Sequence, residues 1–80
     1  MDQLPLRHLI QRKLADGRLP RNSIPRVWGG AGNGEACDAC EEAVSMRQLL
    51  MEGLSAGKVA VQFHVRCFSL WDELRRTTGT

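Results

Sequence analysis

Three cysteines in eighty residues are an odd number, so a closed disulfide framework would always leave one thiol over. No secretory leader and no apolar run of membrane length are visible, and a reducing, cytoplasmic compartment without membrane association is expected. Charge of one sign is scarce as well. The net charge of +2 is low for a chain whose task is to neutralise a phosphate backbone. The run Gly29-Gly30-Ala31-Gly32-Asn33-Gly34 has no Lys-Ser or Lys-Thr behind it and no clear strand before it, which argues against a phosphate-cradling loop. Length is the last shortage: a single core of this size supplies only roughly 3 to 5 kcal/mol of net stability, so a staple is expected.

The staple is legible in two pairs, Cys37-Asp38-Ala39-Cys40 and His64-Val65-Arg66-Cys67, which use all three cysteines and one of the two histidines. Zinc takes thiolate and imidazole ligands tetrahedrally, and two short chelating segments satisfy that geometry with little loss of backbone freedom. One Zn(II) per chain is therefore expected on Cys37, Cys40, His64 and Cys67; iron is the other metal these ligands admit. A site of this kind contributes on the order of 10 kcal/mol of apparent binding free energy at neutral pH, which is folding free energy when the unfolded chain holds no preformed site. A redox role for the first pair alone leaves His64 and Cys67 without a task and lacks the accompanying β-α-β pattern.

From the N-terminus, Pro5 suits the first turn of a helix, and Leu6, Leu9, Ile10, Lys13 and Leu14 recur at spacings of three and four. Gly17 and Pro20 end that helix, which is expected over residues 4–16 with its stripe laid across the metal module. His8 is read as a surface residue with no metal role. Residues 18–36, rich in glycine and proline and without periodicity, are expected to form a connecting loop pinned to the core by Val27 and Trp28. Trp28 left exposed would instead mark a binding surface.

Val59, Val61 and Phe63 alternate as one face of a strand, and this strand needs a ladder partner. Residues 41–51 suit either a helix or the first arm of a hairpin closed across Gly53 to Gly57; the hairpin is favoured because it is the nearest partner. After His64, the residues Cys67, Phe68, Leu70, Trp71 and Leu74 return to helical spacing, with fraying expected at Arg75, Arg76 and the polar tail. Three thiolates, a neutral histidine and Zn(II) sum to one negative charge, which the amides at the start of this helix would offset.

A zinc knuckle, a β-hairpin and a helix carrying the second ligand pair resemble a treble-clef zinc finger of the LIM type. The stretch from Gly-Glu-Ala-Cys37-Asp-Ala-Cys40-Glu through Phe-His64-Val-Arg-Cys67-Phe-Ser-Leu-Trp also resembles small bacterial zinc-binding proteins with C-x2-C followed by F-H-x2-C-F-x2-W. The resemblance covers about residues 27–76 and implies the same four ligands; it carries no activity with it. The implied fold class is α+β: one domain over residues 1–80, with a helix at 4–16, a loop at 18–36 and a zinc module at 37–76.

Four protein ligands close a tetrahedron and leave no position for substrate, so no enzymatic activity and no small-molecule substrate are expected. Val65 and Arg66 stand where a zinc deaminase would carry its glutamate, and Asp72 and Glu73 lack the nearby second histidine of a treble-clef nuclease. Charge is polarised, with basic side chains concentrated before residue 27 and acidic ones between residues 27 and 57. A protein-interaction module is the expected role. The alternative is nucleic-acid binding through Arg7, Arg12, Lys13, Arg18, Arg21 and Arg26, unless that basic segment packs onto the acidic module of the same molecule.

Overall fold

Pro5 and the Leu6-Ile10-Leu14 stripe generate α1, Leu4–Ala15, which turns Ile10 and Leu14 into the core. Gly17 ends it with φ of 79°, while the amides of Arg18 and Leu19 fold back onto the carbonyl of Lys13. Arg21 then donates from Nε to the carbonyl of Leu14, which satisfies another terminal acceptor. The computed structural model describes residues 4–55, 57 and 59–78.

Five strands follow: β1 Arg26–Ala31, β2 Glu35–Ala36, β3 Ala43–Val44, β4 Leu49–Leu54 and β5 Ala60–His64. Helix α2, Val65–Thr78, closes the described chain. The architecture is α+β, with an antiparallel sheet in the order β1-β4-β5 and a short β2-β3 ribbon. Among the described residues no helix is long and apolar enough to cross a membrane.

The hairpin expected for residues 41–51 forms as strand rather than helix, but its long arm is β4, which begins at Leu49 and contains Gly53. Glycine is required at 53, because a Cβ there would meet the carbonyl of Arg26 and the side chain of Ile24. The turn between β4 and β5 includes two positions outside the described residues, and Val59 lies before β5, 62% exposed. Only Val61 and Phe63 of the predicted apolar face are buried.

Residues 18–36 differ most from expectation, since they hold β1 and β2. A glycine-rich strand has no side-chain alternation to read; β1 is a strand because β4 offers it a ladder, with Val27 opposite Gly53 and Trp28 opposite Glu52. Val27 and Trp28 do not pin this segment to the core, for both are exposed. Leu19 and Ile24 take that role, Leu19 fully buried and Ile24 packed against the core.

The core joins Ile10, Leu14 and Leu19 to Val44, Leu50, Val61 and Phe63 and to Leu70, Trp71 and Leu74 of α2. Trp71 stacks on Phe63 with ring centroids 5.5 Å apart, and its indole N–H donates to the Pro20 carbonyl at 2.8 Å. Arg75 lies over the outer face of Trp71 and pairs with Asp72 at 2.7 Å. The helix therefore does not fray at Arg75 and Arg76; Arg76 pairs with Asp72 as well, and the helix continues to Thr78. The part of the polar tail beyond it lies outside the described residues.

Candidate metal centre

Cys37 and Cys40 flank the tight turn between β2 and β3, where Glu41 donates its amide to the Cys37 carbonyl and Cys37 donates to the carbonyl of Glu42. Glu41 adopts φ of 71°, a left-handed conformation costly for a residue with a Cβ. The turn is fastened to the sheet through Asp38. Its amide donates to the Gln62 carbonyl and its carboxylate accepts from the Gln62 amide, both at 2.8 Å. This places the first cysteine pair against the end of β5, where His64 is the last strand residue and Cys67 lies in the first turn of α2.

The Sγ atoms of Cys37, Cys40 and Cys67 and a ring nitrogen of His64 all lie within 4.8 Å of one another. His64 Nδ1 is 3.4 Å from Cys40 Sγ and 3.8 Å from Cys67 Sγ. A tetrahedral ion with bonds of about 2.3 Å to sulfur and about 2.0 Å to nitrogen would place nitrogen about 3.5 Å from each sulfur. The two separations bracket that edge. Nε2 of His64 lies 3.1 Å from the Ala43 carbonyl, which can only accept, so Nε2 carries the proton and Nδ1 presents its lone pair to the sulfurs. The four residues fit one metal ion, held by three thiolates and one neutral imidazole.

The thiols are unequal. Cys37 is held well below the usual thiol range, chiefly by the hydrogen bond from Cys67 and despite its burial. Cys67 is pushed up, first by that same hydrogen bond and then by burial, and Cys40 is pushed up chiefly by burial.

Four of the six basic residues predicted to contact a partner or nucleic acid are engaged within the molecule itself. Lys13 is 4% exposed, donates to the Asp38 carbonyl at 2.9 Å and pairs with the Glu41 carboxylate, which it holds below the usual carboxylate range. Arg7 pairs with Glu73, Arg18 with Asp16, and Arg21 with the end of α1. Arg12 and Arg26 are exposed and make no ion pair among the described residues. The role of Lys13 as a buried counter-charge was not readable from sequence: its place on the apolar stripe was the signal, and its partner was not.

Beside the exposed side of the cluster runs an open groove of about 450 Å³, bordered by Cys40 and His64 and walled by Leu6, Leu49, Val65 and Arg66. Compared with family models, curated proteins and solved structures, the chain matches none.

Proposed function

We propose that this chain is a structural zinc-binding domain of treble-clef type whose role is to present a surface to another protein. The observation that carries the metal assignment is the orientation of His64, whose Nε2 is taken by Ala43 while Nδ1 faces the sulfurs of Cys40 and Cys67 at coordination spacing, with Cys37 completing a group whose ligand atoms all lie within 4.8 Å. Three thiolates and an imidazole are the ligands of a structural zinc site, and a fourth protein ligand leaves no open position for water or substrate. The order of knuckle, hairpin and ligand-bearing helix supports the treble-clef reading.

For the interaction role, the support is the distribution of charged and apolar groups. Lys13, Arg7, Arg18 and Arg21 are engaged within the molecule, which weakens the case for nucleic acid, while Trp28, Leu49 and Val65 remain exposed. Cobalt substitution tests the closed site: tetrahedral thiolate-rich absorption that added azide does not perturb supports four protein ligands. A spectrum altered by azide would reveal an open position and favour catalysis. Titration of duplex and single-stranded DNA at low salt tests the partner class, with no binding expected.

A further inference from the structure

The two edges of the β1-β4-β5 sheet are treated differently. On the β5 side, the outward amide and carbonyl of Gln62 are both bonded to Asp38. On the β1 side, no strand lies beyond β1 among the described residues. The ladder alternation shows which groups are left over. Gly32 donates to the Gln48 carbonyl in the same register that pairs Gly30 with Leu50 and Trp28 with Glu52, so the even-numbered residues of β1 bond to β4. The amides and carbonyls of Val27, Gly29 and Ala31 point away from the sheet. None of the usual guards of such an edge is present: β1 holds no internal proline and no bulge, and its one charge, Arg26, stands at its start.

Two glycines in this strand have no internal explanation. Neither Gly29 nor Gly30 has a positive φ; a Cβ on Gly30 would meet nothing within 4 Å, and one on Gly29 would meet the Met51 sulfur at 3.6 Å and the Leu50 carbonyl at 3.8 Å, both ordinary van der Waals distances. Glycine weakens a strand interior and marks places where another backbone approaches. Beside them stands Trp28, 47% exposed.

We infer that β1 pairs antiparallel with β1 of a second copy of this chain about a two-fold axis at Gly29, joining the two sheets into one. Opposed residues in an antiparallel pair point to the same face, so a two-fold axis must set a residue opposite itself or relate residues of equal parity. Centring on Gly29 meets that condition and uses all the unpaired groups: Gly29 exchanges both bonds with Gly29 of the partner subunit, and Val27 does so with the partner's Ala31. It also places large residues against small ones, Trp28 over the partner's Gly30 and Val27 beside the partner's Ala31. That self-complementarity is why the occupant is a second copy rather than an unrelated strand. The inference deepens the interaction reading above and rests on it for the surface alone; the metal site is a separate matter.

The test is the solution mass of the zinc-loaded full chain by analytical ultracentrifugation from micromolar to millimolar concentration, with zinc content measured on the same samples. The expected result is twice the chain mass at the upper end, falling to the single-chain mass in Gly29→Pro, with zinc unchanged. Proline at 29 removes an amide hydrogen that the single chain does not use. Ala31→Pro removes the other such amide and serves if the first variant does not fold. In the unmodified protein, the amides of Val27, Gly29 and Ala31 should be protected from hydrogen exchange at high concentration and lose protection on dilution. A zinc-loaded chain that stays at single mass throughout overturns the inference and leaves the edge to an extended segment of another protein. A dimer that persists in both proline variants overturns it too, since pairing then runs through another surface.

Discussion

The ammonium of Lys13 donates to the carbonyl of Asp38 across 2.9 Å, reaching from α1 to the turn between the two cysteines of the first pair. Its side chain is 5% exposed, and the site it faces carries one net negative charge when three thiolates and a neutral imidazole hold a divalent ion. The helix added ahead of the metal module is therefore coupled to it by charge as well as by apolar burial. Lys13→Met keeps most of the aliphatic stem and removes the donor. It is expected to destabilise the zinc-loaded protein by about 2 kcal/mol, the range for a hydrogen bond to a charged donor, as read from the urea midpoint at constant slope. Arg12→Met, on the exposed side of α1, should leave the midpoint unchanged.

His64 separates ligation from packing. His64→Ala removes one of the four donors and should abolish stoichiometric zinc retention and, with it, cooperative unfolding, because metal binding is expected to supply on the order of 10 kcal/mol of the folding free energy. His64→Cys supplies a fourth thiolate and should retain zinc. Native mass spectrometry of the two variants, beside their thermal melts, makes the comparison.

Zinc uptake should release protons in a countable way. Without the ion the chain is expected to unfold, and its three thiols, at an ordinary pKa of about 8.5, are then protonated at neutral pH. The metal-free state then holds more protons than the bound state, and affinity must rise with pH and fall on acidification. About three thiol protons should leave per zinc bound, measured by calorimetry in two buffers of different ionisation enthalpy.

The turn after Cys40 offers a backbone test. Glu41 holds φ of 71° and pairs through its side chain with Lys13. Glu41→Ala loses the pair and keeps the strained backbone, whereas Glu41→Gly loses the pair and relieves the strain. The glycine variant is expected to melt above the alanine variant. The reverse order would mean that the left-handed turn is not retained in solution.

Parts of this arrangement could be read from the residues alone because they obey a local rule. The Ile10-Leu14 stripe, the buried Val61 and Phe63, and the helical return after His64 all reflect periodicity, and the two ligand pairs reflect chelate spacing. What could not be read depends on a distant partner. Nothing near Val27-Trp28-Gly29-Gly30 signals a strand; the signal lies in β4, some twenty residues later in the chain, whose Gly53 leaves room for the crossing backbone. Lys13 was legible as a member of the stripe, but the carbonyl and carboxylate that justify burying a charge there come from the cysteine turn. Val59 continued the alternation of β5 in sequence and its carbonyl still accepts from the Ser55 amide, yet it lies at the turn end of the hairpin with its side chain exposed.

The account stands or falls on whether a single ion draws Cys37, Cys40, His64 and Cys67 together and thereby maintains the core. The direct measurement is zinc stoichiometry of the purified chain before and after a tight chelator, with the near-ultraviolet circular dichroism of Trp71 followed in the same samples. The account predicts one zinc per chain and a loss of the tryptophan signal in step with the metal. A chain that is purified without metal, keeps the full signal and does not respond to the chelator would contradict it.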